Sequence, residues 1–310
     1  MGHRYVNNIN FRNEDFFGQD DVTRLFVLDL QKVDLRLIAN TDSNGNFQGI
    51  TDKNSVENRP GYLAAINGSF YGIVPPGGPR AGSLEPYGDI YSEGRLYQPS
   101  SQQGRSVANH RYALAITQDN KAEVVLGGWK QEYRDKYKFF MGGLGLLTSP
   151  DSSLPKERFD LVASLINGNI SQLPERDSRY LPLVRDQESA CDVDNRRGAG
   201  VGQTREIQSG ITSRTAVVIT KTGQIVFVYL EDGLLPEEWE GKIKHAVRQQ
   251  GFEAESILLT DSGARSRLFA REENNAETEL FRKLEIAQNT PGLFYSTPTP
   301  PIAFLGAFER

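Results

Sequence analysis

The stretch "LLTDSGARSRLF" ends an apolar run on an acid, Asp261, and follows it with Ser262, Gly263, Arg265 and Ser266. A carboxylate on the turn that leaves a buried strand is placed to act as nucleophile or base. Its alternative role is to bond the backbone N–H groups of its own turn. Arg214 opens another apolar run, "RTAVVIT", after a polar stretch. A guanidinium there is either a solvated edge group or a two-pronged donor to phosphate or carboxylate. "AAINGSFYG" brings Asn67, Gly68, Phe70 and Tyr71 together. It reads either as a strand running into an Asn-Gly turn, or as an amide presented to a ligand beside a glycine that lets the backbone approach it. Glu231 and Asp232 precede Gly233 at the end of a further run, as second-choice carboxylates or as a plain turn. Gly143 lies in the glycine-dense run "FFMGGLGLL", a pattern that marks close approach of backbone to a neighbour or ligand.

Other chemistry is poorly supported. "GAGVGQ" lacks a glycine in register and a preceding strand, so it is not a dinucleotide loop. The three histidines, His3, His110 and His245, are scattered without metal-ligand spacing. The single cysteine, Cys191, excludes an internal disulfide and argues against a thiolate zinc site. No cofactor is expected. Glu231, Asp232 and Asp261 offer hard oxygen ligands that leave Ca²⁺ or Mg²⁺ open, but their spacing matches no metal loop. The net charge is −5 with basic residues interspersed, which gives no surface for tracking nucleic-acid phosphates. No apolar run approaches the roughly 18 residues of a membrane span. The N-terminal "MGHRYVNNIN" lacks a signal peptide's apolar core, so the expectation is a soluble protein of the bacterial cytoplasm, or an exported one whose signal peptide is absent from this chain. Nothing in the sequence sets the oligomeric state.

The elements that position these residues follow from periodicity. "RLFVLDLQKVDLRLIAN" reads as two strands about a short polar turn, and "YGDIYSEGRLY" as a hairpin about Glu93-Gly94. "RYALAITQDNKAEVVL" reads as a hairpin about Asp119-Asn120, and "SRTAVVITKTGQIVFVYLEDG" as one about Lys221-Thr222-Gly223. "PEEWEGKIKHAVRQQG" carries Trp239, Ile243, Ala246 and Val247 on one helical face, Pro236 in its first turn and Gly251 as its stop. "ESILLTD" is then a buried strand, and residues 302–308 a possible final one. The expected fold is α+β, with mixed, mostly antiparallel sheets and few helices, in one domain over 1–310. Residues 148–212 are polar and breaker-rich, an insertion or long loop within it.

In this order and spacing, "AAINGSFYG", "PYGDIYSEGRL", "YALAITQDNKAEV", "FFMGGLGLL", "SRTAVVITKTGQIVFVYLEDG" and "ILLTDSGARS" resemble the phosphodiester glycosidase family. That domain occurs in the enzyme that uncovers mannose 6-phosphate by removing N-acetylglucosamine, and in bacterial proteins linked to exopolysaccharides. The resemblance implies hydrolysis of a sugar 1-phosphodiester, small or oligosaccharide. It implies Asp261, Arg214 and Asn67 as catalytic, with Gly68, Phe70, Tyr71, Gly143, Thr215, Ser262, Gly263, Arg265, Ser266, Glu231 and Asp232 around the substrate. The family's late turn is Leu-Asp-Gly-Gly-Gly-Ser-Ser. Here Thr260 replaces the Leu, Ser262 and Ala264 replace glycines, and Arg265 replaces a small residue. These changes motivate the alternative of a non-catalytic glycan- or nucleotide-binding module on the same fold.

Overall fold

The computed structural model describes residues 3–11, 21–50, 56, 58–69, 71–73, 83–100, 105, 108–109, 111–152, 214–230, 236–260, 268–271, 277–280 and 302–310. At 3–11, 21–22, 72–73, 214, 236–238, 271 and 277–280 it describes the backbone alone. In chain order the strands are β1 (His3–Phe11), β2 (Asp21–Leu28), β3 (Val33–Thr41), β4 (Phe47–Gln48), β5 (Tyr62–Asn67) and β6 (Tyr71–Ile73). Next come β7 (Leu84–Pro86), β8 (Ile90–Ser92), β9 (Arg95–Tyr97), β10 (Tyr112–Thr117), β11 (Ala122–Leu126) and β12 (Tyr137–Thr148). The last are β13 (Arg214–Thr220), β14 (Ile225–Leu230), β15 (Ala254–Leu259), β16 (Leu268–Arg271), β17 (Glu277–Leu280) and β18 (Ala303–Glu309). The helix α1 (Pro236–Gln249) lies between β14 and β15.

Two sheets form. The first runs β1-β2-β14-β13-β15-β12-β10-β11, with the β8–β9 hairpin joined through β8 to β12. The second runs β17-β16-β5-β18-β3-β4-β7-β6. The sheets are mostly antiparallel, as expected, and every ladder among the described residues is of that kind. The physical reason is where the helical crossover lands. β14 and β15 run the same way, but β13 lies between them and pairs antiparallel with both.

Alternation along each strand assigns three layers of core. Phe26, Leu28, Val217, Phe227 and Leu258 of the first sheet pack with Leu35, Leu37, Ile66, Leu305 and Ala307 of the second. Their sequence neighbours Leu25, Val27, Ala216, Val218 and Val228 face the other way, onto Trp239, Ile243, Ala246 and Val247 of α1. The outer face of the second sheet is covered in turn, with Ile38, Tyr62, Ala65, Phe269, Phe304 and Phe308 packed with Ile50 and Val56. A strand buried on both faces needs apolar residues at every position, which is why β5, β13 and β14 read as continuous apolar runs. A one-residue slip would exchange the two faces, so the register is strongly specified.

Local signals are met where the backbone demands them. Glu93 and Gly94 both have positive φ, 51° and 78°, at the β8–β9 turn, and Asn120 has φ 66° at the β10–β11 turn. The end of α1 is a Schellman arrangement, with the Gly251 N–H on the Arg248 carbonyl, the Phe252 N–H on the Val247 carbonyl, and Gly251 at φ 82°. Two elements depart from the sequence reading. β2 and β3 are indeed strands about a polar turn closed by Asp29, but they enter different sheets, so the turn hands the chain across the core. The polar N-terminal stretch forms β1, laddered on β2 from His3 opposite Leu28 to Phe11 opposite Asp21, with an irregularity between Val6 and Ile9. Among the described residues, no helix is long and apolar enough to cross a membrane.

Candidate functional site

One end of the sandwich gathers the residues of interest, and the ladders say how. Arg214, the first residue of β13, pairs with Leu230, the last of β14. On β13's other side, Ala216 pairs with Leu259, the last of β15, and Leu259 pairs in turn with Gly145 of β12. The pairing continues one step past β15: the Thr260 N–H donates to the Thr215 carbonyl at 3.1 Å. The two side chains repeat the link, with the Thr260 hydroxyl donating to the Thr215 hydroxyl at 2.6 Å. Both threonines are fully buried. So Arg214 and the residues from which the chain departs toward Glu231 and toward Asp261 meet at one sheet edge. Phe70, Glu231, Asp232, Asp261, Ser262, Gly263, Arg265 and Ser266 themselves lie outside the described residues, as do Cys191 and most of the 148–212 stretch.

The second sheet meets this edge. Leu268, the first described residue after Thr260, pairs with Ile66 of β5, and the next residue of β5, Asn67, pairs with Phe304 of β18. Thr260 and Leu268 therefore belong to different sheets, Thr260 beside Thr215 and Leu268 beside Ile66.

Asn67 is the last residue of the β5 ladder and is fully buried. Neither it nor Gly68 has positive φ, so the expected Asn-Gly turn does not form there. Gly68 serves a different contact. Its N–H donates to the Ala303 carbonyl at 3.0 Å, and a Cβ on it would lie 3.1 Å from that oxygen. The close approach permitted by this glycine is to β18, and its donor is already used. Tyr71 is buried and pairs with Pro86 of β7.

Gly143 sits at an irregularity of β12. Tyr112 pairs with Leu144 and Leu114 with Met141, so three steps of β12 oppose two of β10, a β-bulge. Gly143 has φ 78°, and a Cβ there would lie 2.8 Å from the Ser69 hydroxyl and 2.9 Å from the Gly88 nitrogen. The bulge is also where β12 changes partners on one side, from β8 up to Met141 to β15 from Gly145, while β10 continues to pair on the other side as far as Leu144. It thereby joins the "NGSFYG", "PYGDIY" and "FMGGLG" segments at the same end of the sandwich as Thr260.

Two buried carboxylates beside this junction escaped the sequence reading. Asp89 accepts from the Trp129 N–H at 2.6 Å and from the Gln98 amide at 3.3 Å. Burial pushes its carboxyl above the ordinary value, against those hydrogen bonds and the nearby charge of Arg105. Glu85 accepts from the Ser100 N–H at 2.7 Å and its hydroxyl at 3.0 Å. Both acids anchor loops onto the sheet. The one available signal was an acid on each side of Pro86 and Gly88 in an otherwise apolar run, a pattern shared by many hairpins. Ser69 and Gly88 were missed for the same reason: their importance lies in contacts across the sequence. Among the described residues no group of His, Cys, Asp and Glu is arranged to hold a metal ion.

The fold has known counterparts. The catalytic domain of zebrafish N-acetylglucosamine-1-phosphodiester alpha-N-acetylglucosaminidase, in a form auto-inhibited by its pro-peptide, superposes with a TM-score of 0.54. The match covers 99% of this chain and 83% of that one at 12% identity. A hypothetical protein from Synechocystis (TM-score 0.44, 11% identity, 100% of this chain and 62% of that one) is a more remote match. So is a putative exported protein from Burkholderia pseudomallei (TM-score 0.43, 10% identity, 93% and 74%). No protein-family model and no curated protein sequence matches the chain. At this identity the likeness to the zebrafish domain is one of fold.

Proposed function

We propose that the protein hydrolyses a sugar 1-phosphodiester at the anomeric carbon. The observation that carries this reading is the convergence of Arg214 and the Thr260 strand exit on one sheet edge, joined by the Thr215–Thr260 link. The reading also draws on the fold shared with a domain whose name specifies an N-acetylglucosamine 1-phosphodiester. Fold alone does not carry function.

In this reading Arg214 holds the phosphate, with Arg265 as a second cation, because a guanidinium matches two phosphate oxygens at once. Asp261 attacks the anomeric carbon or activates water toward it. The anomeric C–O bond breaks, water supplies the hydroxyl of the freed sugar, and the phosphate leaves as a monoester. Such a leaving group is a weak base, so it needs little protonation, and the site asks for one principal carboxylate. Asn67 acts from a buried position at the end of β5, fixing the start of the "NGSFYG" segment against β18.

The test is release of N-acetylglucosamine from UDP-N-acetylglucosamine. We expect Asp261→Asn to lower kcat by about 10³-fold or more, as loss of a principal catalytic group does. Arg214→Ala is expected to weaken binding by about tenfold or more, the loss of a charge-assisted pair. Undiminished turnover by the Asp261 variant removes that residue from the mechanism. Saturable binding of the nucleotide sugar without any release favours the binding-module reading, which the side chains of Ser262, Ala264 and Arg265 motivate.

A further inference from the structure

We infer that Thr260 is a positioning residue, whose hydroxyl sets the backbone exit toward Asp261 relative to Arg214; this rests on the proposed hydrolysis. Three observations carry it. The hydroxyl–hydroxyl distance is 2.6 Å, and both side chains are fully excluded from water. The same two residues share a backbone bond of 3.1 Å one step beyond the β15 ladder. Each threonine is directly bonded in the chain to a proposed catalytic residue, Thr215 to Arg214 and Thr260 to Asp261.

The energetics favour a fixed geometry. A hydroxyl pair in dry surroundings is strengthened by the low local dielectric and is costly to leave unmade. Threonine's branched β-carbon restricts χ1, so the bond constrains the backbone as well as the side chain. On the β13 side, Thr215 pairs with Tyr229 of β14, and the next residue, Ala216, pairs with Leu259 of β15, so Thr215 is the fixed partner. The expected effect of the bond is on the arrangement of the reacting groups, where displacements of about 1 Å cost about a hundredfold in rate.

The experiment compares Thr260→Val, which keeps the shape and removes the hydroxyl, with Thr260→Ser, which keeps the hydroxyl. Folding is checked by circular dichroism and thermal melting. Two quantities are read: amide exchange of Thr260 by NMR, and kcat and KM for sugar release from UDP-N-acetylglucosamine. The valine variant is expected to exchange about tenfold faster at Thr260's position and to lose about 10- to 100-fold in kcat, with KM within about threefold of wild type. The serine variant is expected within about threefold of wild type in both quantities. Wild-type kcat in the valine variant, or a serine variant no better than valine, overturns the inference. If the wild type releases no sugar, the hydrolase reading falls and amide exchange alone decides this one. Protection lost with valine and regained with serine then supports it, and protection unchanged with valine overturns it. Should Thr260→Val fail to fold, Thr215→Val removes the same bond from the other side and is read in the same way.

Discussion

Gly88 lies backbone to backbone on Gly143. A Cβ on Gly88 would fall 2.1 Å from the Gly143 nitrogen and 2.1 Å from the Gly142 carbonyl carbon, both main-chain atoms of a buried strand. The Gly142 N–H donates to the Asp89 carbonyl at 2.8 Å, so the contact is also hydrogen-bonded. Gly143 occupies the left-handed region at φ 78°, which only glycine adopts without cost.

Gly88→Ala therefore tests the junction. Neither partner of the new methyl is a movable side-chain end, so the loop bearing Asp89 must lift from β12. The expected loss is about 3 kcal/mol or a failure to fold, the upper range of overpacking. Gly94→Ala is the control, since a Cβ there meets nothing within 4 Å. Its positive φ of 78° alone should cost about 1 kcal/mol. Equal unfolding midpoints for the two variants in urea would remove close approach as the reason for Gly88.

The hairpin turns, α1 and the central strands of the first sheet were legible because each advertises itself locally. Positive-φ residues mark turns, one apolar face marks α1, and β-branched runs mark β13 and β14. What was not legible is contact between distant segments. The glycines of "FMGGLG" announced a close approach without saying to what, and the answer, Gly88 and Ser69, lies more than fifty residues away in sequence. Asn67-Gly68 carried a turn signature that the structure overrides, because the Gly68 N–H finds a better partner in the Ala303 carbonyl of β18. Of the proposed site, the sequence identified Arg214 and Thr215, which the ladders bring to the edge reached by β15. It marked Thr260 only as a departure from the family's late turn, because the proposed role rests on a partner 45 residues earlier.

Acid sensitivity should trace in part to Asp34. Its carboxylate bridges the sheets by pairing with Lys138 of β12 at 2.6 Å and with Arg310 at 3.0 Å. Burial alone would raise its pKa, but hydrogen bonds and charges from Lys138 and Arg310 outweigh it and hold the carboxyl below the ordinary 3.8. A carboxyl depressed on folding stabilises the native state above its unfolded pKa. That contribution is lost as pH falls through the folded value. All three side chains are partly exposed, so the effect is modest. Asp34→Asn should cost about 1 kcal/mol near pH 7, and the gap from wild type should close as pH falls through the carboxyl's folded value. A gap in urea stability that stays constant between pH 7 and pH 3 would contradict the ion-pair account.

Lys242 should give a dependence of the same sign at alkaline pH. It lies on the buried side of α1 between Trp239 and Ala246, and burial lowers its ammonium pKa from 10.5 to about 8. Above pH 8 the native state releases this proton, while the unfolded chain holds it until about 10.5. The unfolded state then binds more protons, so stability rises with pH across that interval. Lys242→Met keeps the stem's contacts with the apolar face and removes the charge. The variant should be more stable than wild type at pH 7, by about 1–3 kcal/mol, because a buried cation has been replaced by a thioether. The two should converge toward pH 10, where the wild-type amine is neutral in the native state. Urea midpoints measured at pH 7, 8.5 and 10 read this directly. A methionine variant less stable than wild type at pH 7 would show that the ammonium's contacts outweigh its desolvation.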